Sequence, residues 1–143
     1  MNSTVSTKNT DIKRAWHLVD VKDATLGRVA SNIAQKLMGK SKPYFVRNLD
    51  CGDYVVVTNA AFVKVTGNKT AKKTYYRHSM YPGGLKAEAF DKLLGRRPEE
   101  VILHAVKGML PQNKLRDTML KRLYVFAADT HKYEDKFQTN KSV

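Results

Sequence analysis

The order of apolar and polar positions predicts a chain of alternating strands and helices. Residues 16–20 alternate loosely, as a half-buried strand does, and Thr25 could cap the helix that follows through its hydroxyl. Gly39 is suited to end that helix, because glycine reaches the left-handed region without a steric penalty. The predicted apolar face of the helix consists of Leu26, Val29, Ala30, Ile33, Ala34 and Leu37.

The middle of the chain is richer in strand signals. The β-branched run 54–58 predicts a strand buried on both faces, and residues 62–65 predict another that ends in the turn 66–69. Residues 74–78 fit either a further strand or an extended loop. After Gly83 and Gly84 we predict a helical stretch with the apolar residues Leu85, Ala89, Phe90, Leu93 and Leu94.

The last third begins with a clear helix start. Pro98 suits the first helical position, and the two glutamates after it complement the helix dipole. The apolar stripe of this helix stops near Gly108 and Pro111, and Asn113 could cap another helix that extends to Leu123. Residues 124–126 predict a short last strand. Beyond residue 127 the chain is polar and is expected to order only on a partner.

This interleaving of helices with buried strands favours an α/β fold, a three-layer α/β/α arrangement with a mostly parallel central sheet and extended loops. The 143 residues suit one domain with two flexible tails. We expect an N-terminal arm at 1–13, a single domain at 14–127 and a C-terminal tail at 128–143.

The charge of the chain points to a polyanionic partner. Lysine and arginine total 26 against 13 acidic residues, a net charge of +13. Nucleic acid is favoured over an anionic membrane, because no basic amphipathic helix with exposed aromatics is present. The alternative is that the charge only forms a solvated surface and has no polyanionic partner. Neither a membrane-spanning run nor a secretory or transit leader is expected, and the single cysteine, Cys51, fits a reducing compartment.

Basic residues occur in several separate blocks, interleaved with tyrosines. Cations neutralise phosphates and aromatic rings stack on unpaired bases, so the blocks suggest that several RNA segments are contacted at once. DNA is less favoured, since the turn between the two helices of 98–123 carries a glycine and a proline. The candidate RNA-binding residues are Arg28, Lys36, Lys40, Lys42, Arg47, Lys69, Lys72, Lys73, Arg77, His78, Tyr81, Lys86, Arg96, Arg97, Lys107, Lys114, Arg116, Lys121 and Arg122.

Signals for catalysis are weak. Asp50 and Asp53 could bind a hard cation or activate water, but aspartate and glycine are also ordinary turn formers before a strand. The four histidines are scattered, Ser79 follows His78 without a nucleophile-elbow pattern, and Cys51 has no histidine near it in sequence. We therefore expect no enzyme, metal or cofactor. An enzymatic alternative would require Asp50, Asp53 or His78 to be essential for turnover.

A series of motifs in one order carries a family resemblance. They are WHLVD, TLGR, GK, DCGDY, VTGNK, YYRHS, YPGGLK, RRPE and AVKGMLP, between residues 16 and 111. These motifs resemble the bacterial-type large ribosomal subunit protein thirteen family, and the likeness covers about residues 13–127. The chain departs from the family pattern at Cys51, at Arg116 and Asp117, at Ala128 and in the tail 131–143.

The resemblance implies an α/β/α protein that binds large-subunit (23S-type) rRNA directly, acts early in subunit assembly and holds several RNA segments together. It implies neighbouring large-subunit proteins as partners, a cytoplasmic place in the ribosome and no membrane, small-molecule substrate or homo-oligomer. A free regulator of an mRNA or DNA element is the competing hypothesis. The residues that the resemblance marks as RNA contacts are Arg28, Lys40, Lys69, Arg77, His78, Lys86, Arg96, Arg97 and Lys107.

Overall fold

The computed structural model describes residues 6–138, apart from the side chain of 138, and shows strands and helices in alternation. The strands are β1 (Trp16–Asp20), β2 (Tyr54–Thr58), β3 (Thr74–His78), β4 (Leu85–Ala89) and β5 (Leu123–Val125). The helices are α1 (Leu26–Met38), α2 (Lys69–Lys72), α3 (Phe90–Arg96), α4 (Pro98–Met109), α5 (Leu115–Leu120) and α6 (Asp135–Gln138). Among these described residues, no helix is long and apolar enough to cross a membrane.

The central sheet is parallel and has three strands in the order β1-β2-β5. The middle strand, β2, buries its last four residues, as the unbroken β-branched run predicts for a strand covered on both faces. Val55 and Val57 belong to the main core. Val56 is fully buried as well but projects from the opposite face, because side chains alternate along a strand.

The main core lies between one face of the sheet and helices α1, α3, α4 and α5. The predicted apolar stripe of α1 is confirmed, since Leu26, Ala30, Ile33, Ala34 and Leu37 are all buried. The predicted end of α1 is confirmed too. Gly39 has φ of 75° and its N–H donates to the carbonyl oxygens of Gln35 and Lys36. The α/β class and the parallel sheet that the sequence predicts are therefore present.

Aromatic rings cover the second face of the sheet. Trp16 stacks on Tyr54 with centroids 4.5 Å apart, and Tyr133 from the C-terminal segment lies 4.5 Å from Tyr124. Phe137 meets the edge of Trp16 at 6.3 Å. The third layer is thus the segment 126–138, with α6 as its helix. The prediction that residues beyond 127 order only on a partner needs correction, because these rings pack on an aromatic row of the domain itself.

The first described residues also contact the domain. The Thr7 hydroxyl donates to the carbonyl oxygen of Tyr44 at 3.0 Å, and the Tyr44 hydroxyl donates to that of Lys13 at 3.1 Å. The boundaries predicted at residues 13 and 127 stay a prediction. Residues 1–5 and 139–143, at the ends of the predicted arm and tail, lie outside the described residues.

The strand predicted at 62–65 is wrong. Asn59 adopts a left-handed conformation after β2, and the chain turns into a short 3-10 helix at Ala60–Phe62. Phe62 is 57% exposed, so its place in an apolar run does not reflect burial. Only Lys64 forms a bridge, pairing with Thr25. The carbonyl oxygen of Lys64 also accepts the N–H of Leu26. The Thr25 side chain makes no cap hydrogen bond, so the predicted cap bond is absent.

The helical stretch predicted from residue 85 is half wrong. Residues 85–89 form β4, which pairs antiparallel with β3. Leu85 lies opposite His78 at one end of the pair, and Ala89 lies opposite Thr74 at the other. The helix α3 starts only at Phe90. Of the five apolar residues predicted for this helical stretch, Leu85 and Ala89 lie in the strand, and Leu85 is 61% exposed. The same pairing decides the open question at 74–78 in favour of a strand.

The end of the domain follows the prediction with shifted boundaries. Pro98 occupies the first turn of α4 as predicted. Helix α5 begins after Lys114, although the Asn113 side chain still accepts the Arg116 N–H at 3.2 Å. Leu123, predicted as helical, is the first residue of β5. The errors at β4 and β5 share one cause, because sheet pairing with distant strands overrides local helix spacing.

One close backbone approach leads to a test of packing. A Cβ built on Gly52 would lie 1.6 Å from the carbonyl oxygen of Leu37, whereas one on Gly108 of α4 meets nothing within 4 Å. We expect Gly52→Ala to lower the free energy of unfolding by at least about 3 kcal/mol, because backbone rather than a side chain must move. Gly108→Ala is the control and should leave stability unchanged or raise it by up to about 1 kcal/mol. Urea unfolding of both variants decides the matter, and equal stabilities would contradict the packing described.

Candidate nucleic-acid interface

The antiparallel hairpin of β3 and β4 carries the densest exposed set of cations and rings. Its turn is closed by bonds from the Ser79 N–H to the Gly84 carbonyl oxygen (3.1 Å) and from the Gly84 N–H to that of Tyr81 (2.9 Å). The Met80 N–H donates to Nδ1 of His78 at 2.9 Å, which orients that ring. We call the exposed cations and rings of this hairpin the hairpin surface; its members are Tyr76, Arg77, His78, Tyr81 and Lys86.

The hairpin exposes three large side chains that carry apolar area. Met80 is 89% exposed, Tyr81 75% and Tyr76 70%. Arg77 and Lys86 are register partners, and neither forms an ion pair within residues 6–138. A two-stranded hairpin is marginal in water on its own, and contiguous exposed apolar groups mark binding surfaces. The geometry therefore suits a partner with both phosphates and flat apolar groups.

The two tyrosines of the YYRHS motif have different roles. Tyr75 points inward, with its ring 5.4 Å from that of His104 and the Lys73 Nζ 5.1 Å from its centroid. Burial raises the pKa of the Tyr75 hydroxyl. Tyr76 is exposed, so it and not Tyr75 can stack on a base. Sequence could not make this assignment, because burial here depends on which face of the hairpin meets α3 and α4.

A polar basin of about 700 Å³ lies at the base of the hairpin, between the two strands, α3 and α4. Arg96 and Arg97 line it, paired with Glu88 at 2.8 Å and Glu100 at 2.7 Å. The hydrogen bond from Arg97 lowers the pKa of the Glu100 carboxyl. Exposed pairs of this kind contribute little, so both guanidinium groups can turn toward a phosphate at small cost.

A second basic group gathers around α2 and is called the α2 surface here. Its residues are Lys69, Lys72 and Lys73. A groove of about 300 Å³ joins Lys69 and Lys73 to the start of α1 at Gly27 and to the end of α4 at Met109. Arg28 and Lys107, both exposed, belong to those two helix ends. The fold thus joins predicted RNA contacts from three separate stretches of sequence.

A third group, the helix-end surface, lies past the end of α1. Lys40, Arg47 and Lys114 are exposed there, and the first two line a cavity together with Asn113. Lys36 is half-buried in the last turn of α1, and Lys121 is exposed after α5. This surface unites the first and last basic blocks of the sequence.

Three of the predicted contacts lie inside the fold. Arg122 is 8% exposed and holds Asp50 with two guanidinium nitrogens. The Lys42 ammonium is paired with Asp53 and donates to the Lys13 carbonyl oxygen at 2.7 Å. The Nε of Arg116 is buried and has no partner among the residues described. The structure therefore places the charges of Lys42 and Arg122 in internal ion pairs, away from the exposed basic surfaces.

The DCGDY motif is the anchor of these ion pairs. The Asp53 carboxylate forms hydrogen bonds with the Ala15 N–H at 3.0 Å, with Nε2 of His17 at 2.9 Å and with the Lys42 ammonium. Burial raises the pKa of the Asp53 carboxyl, but the hydrogen bonds from Lys42, Ala15 and His17 outweigh it and the net shift is downward. The two aspartates thus serve the fold. Within residues 6–138 no group of three or more histidine, cysteine or acidic residues could hold a metal ion.

Sequence reasoning missed Arg14, which completes the anchor. Its guanidinium donates to the carbonyl oxygens of Gly52 at 2.6 Å and Asp50 at 3.1 Å. The local hydrogen bond expected of a turn-forming aspartate is present, because the Gly52 N–H donates to the Asp50 carboxylate at 3.3 Å. No local pattern marks Arg14, because its partners are distant in sequence.

These features define an α/β protein with several basic surfaces around a small parallel sheet. The family model described as Ribosomal protein L13 matches residues 14–132, and the chain belongs to that family. Relatives named "Large ribosomal subunit protein uL13" include one from Hahella chejuensis, 52% identical over 128 residues and 90% of each chain. Another from Symbiobacterium thermophilum is 47% identical over 131 residues, or 92% of each chain. A third, from Exiguobacterium sibiricum, is 47% identical over 134 residues, 94% of this chain and 92% of the relative.

Family membership confirms the resemblance found in the motifs. The family consists of ribosomal proteins, which are structural components and not enzymes, so the predictions of a non-enzyme and of a bacterial-type ribosomal location are confirmed as well. The individual RNA contacts stay predictions.

The anchor yields a test by substitution and pH. We expect Asp53→Asn to cost about 3–5 kcal/mol of unfolding free energy, because it leaves the Lys42 ammonium buried without its charge partner. The folded pKa of Asp53 lies below its usual value of 3.8. Its stabilisation is therefore complete at neutral pH and is lost as the pH falls through the folded pKa.

The variant should accordingly show a shallower loss of stability than the original chain between about pH 5 and pH 3 in urea unfolding. Asp23→Asn is the matched control, since that carboxylate pairs with Lys64 at the surface with 62% of its side chain exposed. This control should keep nearly the original stability. Equal effects of the two substitutions would contradict the anchoring role.

Proposed function

We propose that this chain is a structural constituent of the large ribosomal subunit that binds large-subunit (23S-type) rRNA directly and early in assembly. Support comes from the family, from relatives named as large-subunit proteins and from a net charge of +13. The observation that carries most weight is the hairpin surface, where exposed cations and exposed rings are carried by one short two-stranded hairpin. Its location is the cytoplasm, within the ribosome.

At the hairpin surface, Arg77 and Lys86 neutralise backbone phosphates, and Tyr76 and Tyr81 stack on unpaired bases. Folded RNA offers both groups at loops and bulges, whereas the bases of a DNA duplex stay stacked inside it. His78 adds a hydrogen-bond donor or acceptor beside them. The exposed rings therefore favour RNA over duplex DNA as the partner.

The α2 surface and the helix-end surface give the protein two further regions that bind RNA. Because all three surfaces are built on one packed domain, RNA segments bound to them are held at fixed separations. The fold is stabilised by a core and by ion pairs that lie within the chain itself. Such a protein can bind bare rRNA before neighbouring large-subunit proteins join, which suits an early place in assembly.

The proposal predicts a specific salt dependence. We expect Arg77→Ala/Lys86→Ala to reduce the magnitude of the slope of log affinity against log salt by about 1.4–1.8, or roughly 0.7–0.9 for each phosphate that is no longer neutralised. The measurement is a titration against large-subunit rRNA at several salt concentrations, with excess tRNA and duplex DNA as competitors. Lys22→Ala/Lys92→Ala removes two exposed cations outside the three surfaces and should leave the slope unchanged.

Two results would count against the proposal. One is complete loss of binding by the original chain in the presence of either competitor, which would mean that its charge acts without specificity. The other is an equal change of slope in the two double variants, which would mean that the hairpin surface has no special part in binding.

A further inference from the structure

A cavity of about 350 Å³ lies between the end of α1, the loop after it and the start of α5. Its walls are mostly apolar. Met38, Phe45, Val46 and Leu49 are half-buried, Met119 is buried and Pro111 is exposed. Cavities of this size accommodate small organic groups, and an apolar lining with a few placed polar atoms is typical of binding sites.

The polar residues of this cavity are two cations and one amide. Lys40 and Arg47 are exposed at its rim, and Asn113 is the remaining lining residue. Lys114, also exposed, follows Asn113 directly. Among the described residues that line the cavity there is no carboxylate, although the chain has 13 acidic residues. An occupant that is flat and apolar but attached to negative charge fits these groups.

The cavity wall is held in place by the ion-pair anchor. The loop starts with tight turns, in which the Lys42 N–H donates to the Gly39 carbonyl oxygen at 3.0 Å and the Phe45 N–H to that of Lys42 at 3.1 Å. The Lys42 side chain is tied to Asp53 and to Lys13. Phe45 is therefore positioned before any partner arrives, which lowers the ordering cost of binding.

We propose that this cavity receives the base of one unpaired nucleotide of the large-subunit rRNA, an inference that rests on the proposed function. The base lies against Phe45 and the aliphatic walls, and Asn113 faces its edge. Lys40 and Arg47 neutralise the flanking phosphates. Each group has a counterpart in single-stranded RNA, where bases stack on aromatic rings and cations follow the backbone.

An apolar side chain of a neighbouring protein is the competing occupant. The charge at the rim disfavours this occupant. A protein segment would need acidic residues beside its apolar side chain to pair with the cations there. RNA supplies a negative charge at every nucleotide.

The test fills the cavity of the full-length protein. Val46→Trp places a ring inside it, and Leu103→Trp adds the same ring on α4, outside the three surfaces, as the matched control. Against large-subunit rRNA we expect Val46→Trp to bind roughly 10-fold more weakly, the loss of one stacked base. Its salt slope should be unchanged, since every cation of the chain remains, and the control should bind normally.

Two additional readouts locate the nucleotide. Chemical probing of the rRNA should show one unpaired nucleotide that the original chain and the control protect and that Val46→Trp leaves reactive. Ultraviolet crosslinking of the original complex should give a nucleotide adduct on Phe45, a result that does not depend on the stability of any variant.

Unchanged affinity and protection with Val46→Trp, or adducts confined to the hairpin, would overturn the inference. Normal binding of bare rRNA by Val46→Trp, with poor entry into subunits that contain neighbouring proteins, would assign the cavity to a protein side chain and also overturn it. Failure of the proposed function is separate, because the original chain would then lose its rRNA binding to the competitors.

Discussion

The structure depends on two carboxylates in ion pairs, one buried at Asp53 and one half-buried at Asp50. Asp50 pairs with Arg122 and Asp53 with Lys42, and the short segment that carries both links the start of β1, the end of α1 and the approach to β5. A buried charge without its partner is costly, so each side chain fixes the backbone around the other. The loop after α1 is tied to this anchor through Lys42, and the helix-end surface is built on that loop.

Most of the other basic residues do not take part in ion pairs of this internal kind. With twice as many cations as acids, most basic side chains remain at the surface, where their mutual repulsion opposes the compact fold. A polyanion relieves that repulsion on binding. The fold distributes these cations over three surfaces of one domain. This arrangement suits the scaffold role that we propose, and membership in the Ribosomal protein L13 family agrees with a structural role in the large ribosomal subunit.

The local pattern of apolar residues was sufficient to predict an element where that element buries one continuous apolar stripe. The apolar face of α1 and the β-branched run of β2 were predicted at their observed bounds, because burial of these residues follows from spacing alone. It failed at β4, whose pairing with β3 is decided by tertiary contacts. Basic residues were predicted as a class, yet sequence could not separate Lys42 and Arg122 from the exposed cations. Their carboxylate partners lie 11 and 72 residues away.

The most direct test of the scaffold is a hydroxyl-radical footprint of the chain on full-length large-subunit rRNA. Separate basic surfaces on one domain predict at least two protected stretches, far apart in the RNA sequence, that appear together at the same protein concentration. One of these stretches should become reactive in Arg77→Ala/Lys86→Ala while another stays protected. A single continuous footprint that vanishes as a whole in that variant would contradict the account, since it would mean that the protein binds RNA at one site only.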